Sequence, residues 1–192
     1  MVASLIVGLL MLMIWRLVAT GAQFYRKVKS QGDIQRDSLL ALRWMAKDLS
    51  EGSAVSFRKY VTETSEGVPT GFTHAGIVFG SPNVKDTGNV AYNAKGRMLW
   101  SSVIGYYIDP VDNTLYRQQL ALGSSKTFPP IIENNLHSTD VMAGRPGPRV
   151  VARNIHKIET TQGPKDVKIE LSTRDTVLGF GIKVQTRLEM KN

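Results

Sequence analysis

The sequence predicts an α+β protein in which a long N-terminal helix packs on an antiparallel, β-rich globular domain. An uncharged apolar run reaches Trp15, and beyond Gly32 apolar residues recur at helical spacing. From residue 98 onwards, several segments alternate apolar and polar residues, which is typical of strands with one buried face. We therefore expect a membrane helix over residues 1–22, an amphipathic helix over residues 23–52 and the globular domain over residues 53–192.

The composition fits one folded domain with an anchor. The chain has 192 residues, of which 42% are hydrophobic and 21% charged, as in ordinary globular proteins. It contains no cysteine, which excludes disulfides, thiol nucleophiles and cysteine metal sites. Its formal net charge of +8 permits acidic partners such as lipid headgroups or nucleic acid. The densest basic run, Arg26, Lys27 and Lys29, directly follows the apolar segment and is therefore predicted to contact headgroups.

The apolar N-terminal segment has about the length that crosses a bilayer. Arg16 interrupts it at a cost of roughly 2.5–3.5 kcal/mol at the bilayer centre and much less near an interface, which favours a short span. A cleaved secretory signal peptide is the alternative. Against it, no basic stretch precedes the apolar run and no cleavage-type turn follows it.

An amphipathic helix is predicted to continue from the apolar segment, because no proline occurs before Gly67. Gly21 and Gly32 are plausible bends, and a cluster of small residues from Ser50 to Ser53 ends the helix. One stripe is expected to pack on the globular domain, and it consists of Ile34, Ala41, Leu42, Met45 and Leu49. The remaining faces are expected to be solvated and carry Asp33, Arg36, Asp37, Arg43, Lys47 and Asp48.

The rest of the chain predicts β-structure. A strand over residues 178–190 and another over residues 166–171 alternate apolar and polar residues, and we expect them to pair through a turn at residues 172–176. A further hairpin is predicted from residues 98–108, a turn at 109–113 and a strand at 114–120. Glycine- and proline-rich loops are expected at residues 123–130 and 143–148.

No catalytic residue, cofactor or metal site is predicted. The three histidines, His74, His137 and His156, lie far apart and in no metal-ligand spacing, and the sequence contains no nucleophile elbow or phosphate loop. Asp109 and Asp112, with the neighbouring Asn113, offer oxygen ligands for calcium, but a plain hairpin turn is the favoured interpretation.

Three stretches resemble the type IV pilin family, in particular its minor pilins and the pseudopilin J group of type II secretion. Residues 1–10 resemble the part of the apolar helix that lies just inside the prepilin processing site. Residues 106–110 with 114–117 resemble a hairpin of that group, and residues 151–155 resemble the segment leading into its last sheet. The family's leader, its processing glycine and its early glutamate are not found in this sequence.

The resemblance implies a filament subunit that waits in the bacterial inner membrane with its globular domain on the periplasmic side. An assembly platform and ATPase would then insert it into a filament with other pilin-like subunits, in a tip or initiation complex. The basic residues after the span favour a cytoplasmic domain by themselves, whereas the family's basic leader would oppose that bias. Helix packing is expected to involve small residues and bulky apolar ones, namely Ala3, Ser4, Leu5, Ile6, Gly8, Leu9, Leu10 and Met13.

Two alternatives remain open at this point. The chain could be a single-pass envelope-anchored binding protein that never polymerises, with its apolar helix facing lipid. It could also be a minor pilin for DNA uptake, because the positive charge is accompanied by aromatic residues at Trp100, Tyr106, Tyr107 and Tyr116. One tyrosine of the adjacent pair is expected to point away from the core.

Overall fold

A computed structural model describes residues 2–60, 75–82, 90–109, 111–129, 147–163, 166–175 and 179–190, and only the backbone of residues 2–5 and 60. The described residues form one helix and eight strands, which confirms the predicted combination of a long N-terminal helix with antiparallel sheets. The elements are α1 (Val2–Glu51), β1 (Arg58–Tyr60), β2 (Ala75–Ser81), β3 (Trp100–Asp109), β4 (Thr114–Lys126), β5 (Arg149–Ala152), β6 (Ile155–Gln162), β7 (Asp166–Asp175) and β8 (Phe180–Glu189).

The chain divides into two compact units, Met1–Arg36 and Asp37–Asn192. The described part of the first unit is helical throughout. The second unit contains the last turns of α1 and all the described strands. In its described part, the first unit therefore consists of helix alone. The second unit is an α+β domain that includes the C-terminal turns of the same helix.

Helix α1 ends where the sequence predicts, at Glu51, because the next residues bond to β2 instead. A Cβ atom on Gly52 would lie 2.6 Å from Cδ2 of Phe79, so only glycine allows the chain to pass this ring. The backbone N–H of Ser53 donates to the carbonyl oxygen of Gly80 at 3.2 Å, and the Gly80 N–H donates to Oγ of Ser56 at 2.8 Å. These bonds fix the end of the helix to the sheet.

Five strands form one antiparallel sheet in the order β1-β2-β3-β4-β5. The predicted hairpin is confirmed as β3 and β4, which pair from Asp109↔Thr114 onwards. Residues 123–126 belong to β4, so the predicted loop at 123–130 begins too early. Gly123 is tolerated there because the pairing with β3 is irregular between Trp100 and Ser102. Of the other predicted loop, residues 147 and 148 lie outside any strand and residues 143–146 lie outside the described part of the chain.

Three strands form a second antiparallel sheet in the order β6-β7-β8. Alternate residues of β8 are half-buried and exposed, as the sequence predicts. The predicted turn at 172–176 is wrong for its first four residues, because β7 continues to Asp175. The hydroxyl of Thr173 donates to the Ile182 carbonyl and accepts from the Ile182 N–H, which extends the pairing. Gly179, at φ +69°, precedes β8, and its N–H donates to the Asp175 carbonyl.

One apolar core joins the docked part of α1 to both sheets. From the helix it contains Leu42, Met45 and Leu49. Burial of these side chains removes the apolar stripe from water, which is the main source of stability for a helix packed on a sheet. The sheets contribute Ile77, Phe79, Ile104, Tyr106, Ile108, Leu115, Ala152, Ile155, Ile158, Val167, Ile169 and Leu171.

Replacing Leu49 by alanine should destabilise the full-length protein by about 2–5 kcal/mol, because it opens a cavity in this core. Leu39→Ala is the matched control, since Leu39 lies on the same helix but is half exposed and should change stability by no more than about 0.5 kcal/mol. Denaturant unfolding in detergent micelles, followed by circular dichroism, measures both. Equal effects of the two substitutions would contradict the packing described above.

Candidate functional site: an exposed apolar helix segment and a buried charge network

The apolar segment at the start of α1 is exposed at every residue from Ile6 to Val18. The side chains of Ile6, Leu9, Leu10 and Met13 are each more than half exposed. A Cβ atom on Gly8 would meet no neighbour within 4 Å, so no packing inside this chain requires glycine there. Ala3, Ser4 and Leu5 lie in the helix, but their side chains are outside the described part of the structure.

The same helix is long and apolar enough to cross a membrane. Among the described residues it is the one helix that meets this criterion, and none of its most apolar window is buried. A core helix of the same apolar character would be covered by the rest of its protein. In a helix every backbone N–H and C=O group except those at the ends is bonded internally, which suits the segment to a hydrocarbon environment.

The last turns of α1 are in the opposite situation. Ala41, Met45 and Leu49 are fully buried, and Leu42 is nearly so. They lie at the three- and four-residue spacings that place side chains on one face, so a single stripe faces the core of the second unit. Ile34, the remaining predicted member of the stripe, is also buried.

Asp48 differs from its predicted solvated position, because the structure buries it with two partners. Nε of Arg117 donates to its Oδ2 at 2.6 Å and Nη2 donates to its Oδ1 at 3.3 Å. The Tyr106 hydroxyl donates to the same Oδ2 at 2.5 Å. The spacing could have indicated this, since Asp48 follows Ala41 by seven residues and Met45 by three and therefore shares the buried face.

This network of Asp48, Arg117 and Tyr106 joins α1 to the adjacent strands β3 and β4. Both oxygens of the carboxylate are bonded, and both charges of the ion pair are buried. Attraction in such a pair roughly offsets the cost of removing the charges from water, so its main effect is on geometry. A buried carboxylate that must meet one guanidinium allows only one rotation and one register of the helix on the sheet.

A second polar contact lies at the edge of the five-stranded sheet. The guanidinium of Arg149 on β5 is 4.6 Å from the centroid of the Trp44 ring on α1. A cation over an aromatic face contributes about 0.5–1 kcal/mol at an exposed site. This contact ties the edge strand to the docked helix.

The aromatic residues that suggested a binding face are mostly inside the protein. Tyr106 and Tyr107 are both buried, so the prediction that one of them points outward is wrong. The reason is that β3 is covered on both faces, whereas a half-solvated sheet would leave alternate residues exposed. Trp100 is buried as well, and Tyr107 stacks on the half-buried Tyr116 with ring centroids 5.5 Å apart.

The acidic turn between β3 and β4 uses its carboxylates within the turn. Asp109 accepts from the Val111 N–H, and Asp112 accepts from the Thr114 N–H and the Tyr116 hydroxyl. Asn113 has a φ of +53°, a conformation that asparagine adopts more readily than most residues. In the described part of the chain no three His, Cys, Asp or Glu side chains are grouped to hold a metal ion.

The histidines contribute no site within the described residues. His156 is exposed on β6, and His74 and His137 lie outside the described part of the chain. No protein-family profile, curated protein sequence or solved structure matches this chain. Its function must therefore be inferred from the helix and the domain themselves.

Breaking the buried ion pair should cost far more than removing it altogether. Asp48→Leu or Arg117→Met alone should destabilise the full chain by about 3–5 kcal/mol, because the remaining partner stays buried and uncompensated. The double variant Asp48→Leu/Arg117→Met should recover a large part of that loss. Unfolding free energies from denaturant titrations measure the coupling.

The exposed pair of Lys183 and Glu170, 3.0 Å apart, is the control for this cycle. Its coupling should not exceed about 1 kcal/mol, because solvent screens the charges. A buried pair with coupling as small as the surface pair would contradict a role in positioning the helix.

The tyrosines of β3 should ionise late and make the protein less stable at high pH. Burial, and for Tyr106 the neighbouring Asp48 carboxylate, raise the pKa of Tyr106 well above the usual value of 10.0 and the pKa of Tyr107 to about 12. A raised pKa in the folded state gives stability that is present below pH 10 and lost as the pH rises through 12.

Ultraviolet titration of tyrosinate should therefore show a component that ionises near pH 12 in the folded protein and near pH 10 in the unfolded chain. Tyr107→Phe should remove the step near pH 12 and reduce the loss of stability between pH 10 and 12. A titration curve whose alkaline end is unchanged by this substitution would contradict the assignment.

Proposed function

We propose that the protein is a structural, non-catalytic subunit of a type IV pilus or of the related pseudopilus of type II secretion. The observation that carries the proposal is the division of one helix between two environments. The described apolar residues of its first turns are exposed, while the stripe from Ala41 to Leu49 is buried in an antiparallel β-rich domain. This combination is what the resemblance of residues 1–10, 106–110 with 114–117, and 151–155 to pilins and pseudopilins leads us to expect.

The exposed segment supports assembly as well as anchoring. In a bilayer, Ile6, Leu9, Leu10 and Met13 contact lipid chains, and in a filament the same side chains contact neighbouring helices. The two environments are similar in polarity, so the helix exchanges one for the other without a large change in solvation. Small residues such as Gly8 let helices approach closely, and we assign the same role to Ala3 and Ser4 and a contact role to Leu5.

Before assembly, in this proposal, the protein is a single-pass protein of the bacterial inner membrane with its globular domain on the periplasmic side. Arg26, Lys27 and Lys29 follow the apolar segment at the level of lipid headgroups. An assembly platform and ATPase transfer the subunit into a filament with other pilin-like subunits. We place it among the minor subunits that form a tip or initiation complex, as the resemblance implies.

Two other functions remain as outcomes of the test. An envelope-anchored binding protein would keep its apolar segment in lipid and form no contact with similar subunits. A DNA-uptake subunit would need a surface that stacks on bases, and Trp100, Tyr106 and Tyr107, three of the four aromatic residues that suggested this role, are buried. Salt-sensitive binding of DNA by the purified protein would favour this second function.

Crosslinking through a cysteine at Leu9 tests the proposal directly, because the natural chain contains no cysteine. In cells with the assembly ATPase, Leu9→Cys should crosslink to cysteines in the apolar helices of other pilin-like subunits. The crosslinks should be lost in a strain without the ATPase, since each helix then stays separate in the bilayer.

A cysteine at Val111 is the matched control, because this residue is 90% exposed in the turn between β3 and β4. It should be accessible to a soluble thiol reagent from the periplasm and should not form the helix crosslinks. Absence of ATPase-dependent crosslinks from Leu9→Cys, in a strain with a functional filament, would leave a solitary anchored domain and refute the filament role.

A further inference from the structure

Arg16 is the one charged residue in the apolar part of α1, and its depth in a bilayer follows from the helix geometry. Counted back from Tyr25, the last residue before the basic run, twenty residues reach Ile6 and make about 30 Å of helix at ~1.5 Å per residue, which equals the thickness of a hydrocarbon core; this span ends three residues later than the span of residues 1–22 predicted above. The basic residues from Arg26 to Lys29 mark one end of this span. Arg16 lies ten residues, or about 15 Å, before Arg26 and therefore at the midplane.

A membrane boundary at Trp15 and Arg16 would be the alternative placement. That placement would leave the apolar side chains after Arg16 in water. No other part of this chain covers them, since Leu17 is 77% exposed and Phe24 is 68% exposed in the described structure. The span ending at Tyr25 covers them with lipid and places the aromatic pair Phe24 and Tyr25 at the interface, where such residues are enriched. The helix continues through this region without a break.

An arginine at the midplane needs a counter-charge, and α1 does not provide one. Arg16 is exposed and makes no ion pair with any residue that the structure describes. The sequence has no aspartate or glutamate before Asp33, which is about 25 Å further along the helix. Even when it is fully extended, the arginine side chain is shorter than the distance of about 15 Å between the midplane and the phosphate layer.

The same apolar segment of a second copy, in parallel register, does not supply the counter-charge either. In a parallel pair of these helices, Arg16 would lie opposite Arg16, and the apolar segment of each copy lacks an acidic residue. Like charges in a medium of low dielectric constant repel strongly. The segment therefore disfavours close side-by-side association of two copies.

We infer that Arg16 pairs, within the membrane, with a carboxylate on the apolar helix of a different protein. This inference depends on the proposed function to the extent that α1 must lie in a membrane beside other helices. It goes beyond the proposed function by stating what the partner must contain, namely an aspartate or glutamate near the middle of its own membrane span. Charged residues inside membranes face such partners in preference to lipid.

Photocrosslinking in native membranes tests the pairing with the full-length chain. A photoreactive amino acid at Leu12 lies one turn before Arg16 on the same face, and one at Val18 lies on the opposite face as a control. Capture from position 12 should yield a protein with an acidic residue in its apolar span. The adduct should be lost in Arg16→Leu and retained in Arg16→Lys, and replacing the partner's acid by its amide should abolish it equally.

Two results would overturn the inference. The first is an adduct from position 12 that is unaffected by Arg16→Leu or that comes from a protein without an acid in its span. The second is a shallow location: a fluorophore on Leu17→Cys, in vesicles of phosphatidylethanolamine and phosphatidylglycerol, should be quenched by bromines deep in the acyl chains. Quenching mainly at headgroup depth would place Arg16 at the surface.

The outcome is separable from that of the proposed function. If Leu9→Cys crosslinks in an ATPase-dependent manner but Arg16→Leu does not change the yield of the adduct from position 12, the filament role stands and the charge pairing fails. If Arg16-dependent capture occurs without any ATPase-dependent crosslink, the pairing stands in a membrane complex and the filament role fails.

Discussion

The internal hydrogen bonding of one long helix is the constraint on which the rest of this protein depends. A helix bonds its own backbone, so it passes from an apolar medium into a protein core without leaving polar groups unsatisfied. Helix α1 is continuous over its fifty residues, and the exposure of its side chains changes along it from the exposed apolar segment to the buried stripe. The strands could not do the same, because each of them needs neighbours for its backbone bonds.

The end of the helix is held by chemistry that differs from its apolar stripe. Leu42, Met45 and Leu49 remove apolar surface from water, and many rotations of an apolar stripe on a sheet would do so almost as well. The carboxylate of Asp48 permits few of them, because it must meet the guanidinium of Arg117 and the hydroxyl of Tyr106. The core supplies stability, while the buried network supplies a defined position.

Sequence patterns predicted the parts of the fold that follow from local periodicity. Alternation along β8 and the spacing of Ala41, Met45 and Leu49 identify the strand and the buried stripe. Periodicity places Asp48 on the buried face of the helix, but it could not predict the partner that makes this burial possible, because Arg117 is 69 residues away. It also could not predict that both Tyr106 and Tyr107 are buried, because that depends on what covers the second face of the sheet.

Turn positions were the least predictable feature for a related reason. Residues 172–175 have the composition of a turn, yet they remain in β7 because Thr173 finds both backbone groups of Ile182 opposite it. The candidate site shows the same limit. The sequence reveals an apolar segment and its single charge, but the sequence of one chain does not identify what surrounds that segment.

The attachment of α1 to its domain has a mechanical consequence. Tension along the helix axis would load the buried side chains from Ala41 to Leu49 together, as a sliding motion of the helix against the sheets. Contacts arranged in this way resist force in parallel, whereas contacts that peel open one after another resist it singly. The hydrogen bonds that join Ser53 and Ser56 to Gly80 lie just beyond the end of the helix and would transmit the remaining load to β2, the second strand of the five-stranded sheet.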